Sequence, residues 1–577
     1  MLSSELKSKI RYLWDAFWSG GVANPLSAIE QITYLVFLKR LEDLDTEREK
    51  NARAAKQKYK SIFDFKANEL KKLKNGEEYR WSYIKRLPTE ERFTHVRNYV
   101  FDWMKSIEGA TPEDQERMRD AVFLIPNAAL LERAVHILDD LFVPERNQDT
   151  LGDIYEDLLN EIATAGKNGQ FRTPRHIIRA MCDLVDVKFG ELVCDPACGT
   201  GGFLVNAYQH ILEANTSPDI LRYKEDGTPI NAIGDKLTAK EHKALRSNHL
   251  HGFDFDRTMV RLGWMNMIQH GLDNPQISYA DALGSKFNAE VQEGGKWHEH
   301  FDVVLANPPF TGNIDKTDIG DTLRPLGTNK TELLFVDLIL QLLKPGGRAA
   351  VIVPEGVLFG NTKAHQILRR KLIEQTHIQA VVSLPGGVFQ PYAGVKTSIL
   401  VFVKGGKTEN IWFYEVEDDG YALNAKRDPR HEKNDLWDLR LKYKLRYKQD
   451  APVFIKPYKK DLESWAAQSE DTRREKYLQP QFVKKIESDG QGDELEVIEL
   501  SDFKTLSLEA PKEWIAESEE FSEKDNNLSA GRYKPFKVGV TKKDETPQKL
   551  LNELKELEDK IQAGLGNLFT LLEGRDE

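Results

Sequence analysis

Between about residues 170 and 416, short apolar runs alternate with helix-length amphipathic segments, the pattern of a parallel sheet whose crossovers are helices. The candidate strands are Leu192–Cys194, Leu250–Phe253, Ile277–Tyr279, Phe301–Ala306, Ala349–Val353, Ala380–Ser383, Ser398–Val403 and Ile411–Tyr414. Gly202–Leu212, Thr258–His270, Leu333–Leu343 and Thr362–Glu374 read as helices between them. Before this region the chain reads as helical, with Leu26–Leu41, Leu130–Leu141 and Leu151–Ile162 as the strongest segments. The charged stretch Glu42–Lys74 reads as a solvated extension. After 416 the chain turns polar and irregular, with acidic linkers at Ser488–Glu496 and Glu517–Asn527. Gln548–Leu572 is again a helix, its leucines and isoleucine spaced by threes and fours.

Several function classes drop out on composition. No apolar run reaches the length of a membrane span, and Met1–Ile10 lacks the basic-then-apolar order of a signal peptide, so a cytoplasmic location is the default. The three cysteines, Cys182, Cys194 and Cys198, form no CxxC pair, and neither zinc nor a disulfide framework is expected. The net charge of −11 matters for nucleic acid. An acidic chain does not coat itself with phosphate, so any DNA contact must be local or supplied through a basic partner.

Four motifs fall at predicted strand or helix ends. Asp195-Pro-Ala-Cys-Gly-Thr-Gly-Gly-Phe203 follows a strand and opens a helix. Glycines there let backbone approach a ligand closely, although a Gly-rich turn also serves as a tight connection. Asp195 suits a ligand bearing an ammonium or sulfonium rather than a pyrophosphate. Gly252-Phe-Asp254 closes the next strand; a carboxylate there either accepts from ribose hydroxyls or caps a helix. Asp281, after the third strand, has the same two readings, with a nucleoside base as its neighbour in the first.

Asn307-Pro-Pro-Phe310 closes the strand Phe301–Ala306. An exocyclic amine of adenine is a poor nucleophile because its lone pair is delocalised into the ring. Two acceptors aimed at its N–H groups, the Asn307 side-chain carbonyl and the Pro308 backbone carbonyl, draw the nitrogen toward tetrahedral geometry. Pro308 and Pro309 stiffen the turn, and Phe310 offers a ring face for a base. A rigid surface turn is the alternative. Gly169-Gln-Phe-Arg-Thr-Pro174 leads into a helix, with Thr173 and Pro174 as its N-cap and first-turn pair.

Taken in order, these elements resemble the gamma group of amino-DNA methyltransferases, over roughly residues 140 to 416. They are most similar to the modification subunit of type I restriction-modification systems. That likeness extends to Trp264-Met-Asn-Met-Ile-Gln-His-Gly271, Lys344-Pro-Gly-Gly347, Leu384-Pro-Gly-Gly-Val-Phe389, Asp419-Gly-Tyr421 and Asn527-Leu-Ser-Ala-Gly-Arg-Tyr533. Two departures are Asp254 where the family has Glu, and an insertion from Ala214 to His249.

The resemblance implies an α/β fold: a helical N-terminal domain (1–165), a Rossmann-like class I methyltransferase domain (166–416) with a mixed, mostly parallel seven- or eight-stranded sheet, an irregular acidic extension (417–547) and a C-terminal assembly helix (548–577). It implies S-adenosyl-L-methionine as cofactor, held by Asp195, Gly199, Thr200, Gly201, Asp254 and Asp281, with Gln170, Phe171, Arg172, Thr173 and Pro174 closing over it. Asn307, Pro308, Pro309 and Phe310 would hold a flipped adenine, since N6 is paired inside a duplex. The implied partners are double-stranded DNA, a DNA-specificity subunit, a second copy of this chain and a restriction-translocase subunit. A stand-alone adenine methyltransferase and a catalytically inactive architectural subunit are the competing readings. RNA or protein-glutamine methylation uses similar local sites.

Gly406-Lys-Thr408 is no P-loop, because Val401 stands where the first glycine is required. The basic runs Lys71-Lys72 and Arg369-Arg370-Lys371 read as solvated helix faces or as DNA contacts.

Overall fold

The apolar alternation builds one large sheet. The computed structural model describes residues 4–534 except 23, 55, 57, 68–73, 106–117, 119, 144–150, 153, 160–171, 224–227, 273, 391–393, 446–475, 489–493 and 508–512. Its main sheet has strands β1 (Val193–Asp195), β2 (Leu250–Asp254), β3 (Gln276–Tyr279), β4 (Phe301–Ala306), β5 (Leu343–Pro354), β6 (Thr376–Ser383), β7 (Thr397–Lys404), β8 (Asn410–Glu415) and β9 (Glu513–Glu517). Their spatial order is β3-β2-β1-β4-β5-β7-β6-β8-β9. All neighbours run parallel except β7, antiparallel to both β5 and β6, and β9, antiparallel to β8.

Both faces of the sheet are covered, and the strand period shows it. Val193, Val303, Leu305, Ala350 and Ile352 enter one core cluster. The intervening Cys194, Val304, Ala306, Ala349, Val351 and Val353 enter the other. Near-continuous apolar runs are what a parallel sheet with helices on each side requires. The order reverses at β1, which sits between β2 and β4. That reversal opens a crevice at the carboxyl ends of β1 and β4, where open α/β sheets take their ligands.

The helical block comprises α1 (Ser4–Ser19), α2 (Pro25–Ala54) and α3 (Ala128–Leu141), among shorter elements. It joins the sheet domain through the helix Arg257–Gln269. Met259, Leu262, Met265 and Ile268 of that helix lie in the block's core, while Val260 and Met267 face the sheet. Arg261, 5% exposed, donates to Glu30 of α2 at 2.6 and 2.9 Å. The two-faced helix accounts for the apolar Trp264–Gly271 segment, whose Trp264 ring meets Phe37 at 5.2 Å.

Two expectations need correction. Glu42–Lys74 does not simply extend outward. Asp45 collects Tyr59 Oη (2.9 Å), Ser61 Oγ (2.7 Å) and the Ile62 amide (3.1 Å). Phe63, 1% exposed, packs on Trp103, a burial worth about 2 kcal/mol. One carboxylate and one aromatic ring fold back a segment whose composition is mostly charge.

The stretch after 416 is not wholly irregular either. Asp419–Tyr421 pairs with Pro429–Asn434, a helix spans Leu436–Leu445, and Lys476–Ser488 pairs with Glu494–Ser507. β9 completes the sheet edge, and Ala516, Leu528, Ala530 and Tyr533 enter its core. Short charged strands are the normal form of a sheet edge, so their composition reads as linker. The helix expected at 548–577 lies outside the described residues.

Candidate functional site

The described candidate residues Asp195, Asp254 and Asn307 lie at the carboxyl ends of β1, β2 and β4. β1 ends at Asp195, and the turn to the helix Gly202–Ala214 carries Gly199 and Gly201 at φ +50° and +75°, a left-handed region where side chains are disfavoured. Asp195 is 1% exposed. Its Oδ1 accepts from the Ala197 amide at 3.1 Å, and its Oδ2 is buried without a partner. Burial pushes its pKa up to about 8, the charge of Asp254 adds to the rise, and the Ala197 amide only partly opposes it.

Asp254, at the end of β2, ties the loop down. Its Oδ2 accepts from the Gly199 amide and its Oδ1 from the Asp256 amide, each at 2.9 Å. The helix-capping alternative belongs to Asp256, which accepts from the Thr258 and Met259 amides. Asp281 is exposed and hydrogen-bonds within its own turn, to the Leu283 amide at 3.3 Å.

Two residues of the loop's support were missed by sequence reasoning. Asn266, fully buried, donates to the Thr200 carbonyl at 2.9 Å. At Gly263 a Cβ would stand 2.9 Å from the Gly199 carbonyl oxygen, so only glycine lets this helix lie against the loop. Both positions look like ordinary helix interior in the sequence.

Across the crevice, Asn307 follows β4. Its Nδ2 donates to Thr173 Oγ1 at 2.8 Å, and its Oδ1 is buried with no partner. The sequence reads Thr173 as a helix cap. The helix instead begins at Arg175, after Pro174, with no side-chain cap, and the Thr173 hydroxyl is spent on Asn307. Arg172 anchors the same segment on the helical block, donating to the Glu156 carbonyl at 2.9 Å. Gln170 and Phe171 lie outside the described residues.

Pro308 is buried and Pro309 half-buried. Phe310 is 3% exposed and meets Phe389 edge-to-face at 5.3 Å. The Leu384–Phe389 motif therefore seats the Asn307–Phe310 turn, and the Phe310 ring shows solvent almost no face. The Asp419–Tyr421 motif is likewise a latch. Asp419, fully buried, pairs with His176 Nε2 at 2.9 Å and with Arg427, and Tyr421 stacks on His176. This holds the helix Arg175–Val185, and with it Thr173.

Comparison with known proteins decides the family. The model of the N-6 DNA Methylase family matches residues 146–489. This chain belongs to that family. The match runs beyond the 140–416 span that the motifs indicated. An HsdM N-terminal domain model matches residues 6–173.

The chain is 33% identical to the type I restriction enzyme EcoEI methylase subunit of Escherichia coli, over 55% of its own length and 59% of that subunit, so it spans less than two thirds of that relative. It is 29% identical to the EcoKI methylase subunit of Escherichia coli K12, over 72% of each. Among solved structures, a chain of a type I R-M system aligns over 99% of both chains at 25% identity with a TM-score of 0.62. A type I restriction-modification methyltransferase subunit from Streptococcus thermophilus, 18% identical, shares the fold with a TM-score of 0.59 over 93% of this chain and 100% of that one. The chain is thus a homologue of type I restriction enzyme methylase subunits. Among its described residues no helix is long and apolar enough to cross a membrane.

Proposed function

We propose that the protein methylates the N6 amino group of adenine in DNA, as the modification subunit of a type I restriction-modification complex. The observation that carries this reading is the Asn307 carboxamide, anchored through Nδ2 on Thr173 with a buried, unpartnered Oδ1. A buried acceptor without a donor costs about 1–3 kcal/mol. A flipped adenine supplies the missing donor through its amino group. The Oδ1 acceptor, together with the Pro308 carbonyl, then raises electron density on N6 as it attacks.

The residues at β1 and β2 fit S-adenosylmethionine, which supplies an electrophilic methyl group when bound. The open Oδ2 of Asp195 suits a cationic group. Asp254 keeps lone pairs for ribose hydroxyls beside its two backbone contacts. Phe255, 68% exposed next to it, offers a ring face to a purine, and Asp281 would neighbour that base. Gly199, Thr200 and Gly201 would approach the ligand as backbone, and the segment from Gln170 to Pro174 would close over it. Base stacking on Phe310 requires its contact with Phe389 to loosen.

The Asp195 carboxyl gives a pH test. Without ligand it is mostly neutral below pH 8, and a cation selects the ionised form. Cofactor affinity should therefore rise with pH up to about 8 and level off above. Binding at pH 7 should release about one proton, seen by calorimetry in buffers of different ionisation enthalpy. In Asp195→Asn both effects should vanish. Proton release that persists there would remove Asp195 from the cofactor site.

Double-stranded DNA, a DNA-specificity subunit, a second copy of this chain and a restriction-translocase subunit are the partners we propose, in the cytoplasm. We assign assembly to the apolar stripe of 548–577. Truncation after Thr546 should leave the thermal midpoint and cofactor binding intact while abolishing co-purification with the specificity subunit. A destabilised chain that still assembles would show that the stripe packs on its own chain instead.

A further inference from the structure

Of the basic run at 369–371 only Arg370 is the solvated residue its composition suggests. Lys371 pairs with Asp337, while Arg369 is 1% exposed. Arg369 gives Nε to the Asn526 carbonyl at 2.9 Å and Nη1 to the Gly360 carbonyl at 2.7 Å. Among the described residues no carboxylate lies within ion-pair distance of it. A guanidinium this buried and without a direct ion pair is expensive; burial pulls its pKa down, and the charge of Asp525 offsets that only in part.

Arg369 lines a cavity of about 530 Å³ together with Lys524, Arg532, Asn361 and Asn527. Lys524 and Arg532 also lack a carboxylate partner among the described residues. Asp525 is the single acid on the wall. On the lining itself three cations face one acid, although the segment before Lys524 is acidic and Glu520 acts on the neighbouring Tyr533.

The cavity is built rather than incidental. Its far wall is the turn that leads into the Asn527–Tyr533 motif, which the methyl-transfer site does not use. Asp525 and Asn526 both hold left-handed φ, +55° and +53°, a turn conformation that Asp and Asn adopt more readily than other non-glycine residues. The turn is pinned by the Leu528 amide on the Leu358 carbonyl at 2.9 Å and by Tyr533 stacked on Phe413. Phe359, 45% exposed, stands on the wall. It ends the short helix that follows β5 directly. β5 is the parallel neighbour of β4, with Val351 opposite Ala306, so Phe359 follows the carboxyl end of the strand beside the one that leads to Asn307, while the cavity's helices pack on the sheet face opposite Phe310.

We propose that this cavity grips a backbone phosphate of the substrate DNA. The inference rests on DNA being the substrate. Buried Arg369 supplies fixed charge, Lys524 and Arg532 close from the exposed side, and the contact is independent of base sequence. It is one local device by which an acidic chain can hold DNA.

The test uses the full chain with its co-purifying subunits and a short fluorescein-labelled duplex as probe. Arg532→Gln and Lys524→Gln, both on the open side, should each lower the slope of log affinity against log salt by about 0.9. The double variant should bind several-fold more weakly at about 0.1 M salt, with an unchanged thermal midpoint. The loss should appear in KM for DNA and be equal for cognate and scrambled duplexes. Unchanged slope and affinity would overturn the proposal. So would loss of a subunit with duplex binding intact, or competition by inorganic phosphate as strong as by the duplex. Whether the wild-type protein methylates adenine is read in the same samples, so failure of the functional reading is seen separately.

Discussion

Asn307→Ala should lower methyl transfer by about two orders of magnitude or more, the scale on which an aligned hydrogen-bonding group acts in a transition state. The Oδ1 acceptor vanishes, and the Pro308 carbonyl cannot polarise the amine alone. Cofactor affinity and thermal midpoint should barely move, because Asn307 makes one side-chain hydrogen bond in the structure. Thr173→Val removes that bond while leaving Asn307, and should lower kcat with little change in KM for the cofactor. Thr173→Ser, which keeps the hydroxyl, should recover most of the loss. Near-normal turnover in Asn307→Ala would show that the amine is activated elsewhere.

Gly201→Asp should weaken S-adenosylmethionine binding by about a hundredfold. The side chain is placed at φ +75°, which costs about 1–2 kcal/mol, and adds a third carboxyl to a loop where Asp254 already opposes ionisation of Asp195. Gly263→Ala separates the loop's conformation from its charge. In an unconstrained helix this change stabilises by about 1 kcal/mol. Here the new Cβ meets the Gly199 carbonyl oxygen at 2.9 Å, so the helix or the loop must shift, at about 1–3 kcal/mol. Calorimetry and thermal melts should show weaker cofactor binding together with lower stability. A more stable Gly263→Ala with full cofactor affinity would mean that the loop does not depend on this contact.

The sheet was legible because its strands are apolar runs of the right length between turn signals. Val193–Asp195, Leu250–Asp254 and Phe301–Ala306 lie within a residue or two of their expected bounds. The Gly-rich turn and Asn307 were legible because they close such strands. β9 was not, because its five residues carry two glutamates and depend on pairing with β8, nearly a hundred residues earlier.

The links between site residues were also hidden. Thr173 and Asn307 are 134 positions apart, and nothing local distinguishes a hydroxyl that caps a helix from one that orients a distant carboxamide. Phe310 looks like a stacking platform until Phe389 is folded against it. Gly263 carries no sequence signal, and Asn266 lies within the Trp264–Gly271 motif without its role being legible there, since the importance of both lies in what the opposing loop requires. The fold-back at Tyr59–Phe63 escaped for the opposite reason, being two strong contacts inside a run dominated by charge.

The most direct measurement is mass analysis of nucleosides from DNA incubated with the purified protein, its co-purifying subunits and isotopically labelled S-adenosylmethionine. The proposed function predicts label in N6-methyladenine at a discrete set of sites, and none with Asn307→Ala. Label in N4-methylcytosine, in RNA or in a protein glutamine, or no transfer at all from the assembled wild-type protein, would contradict it.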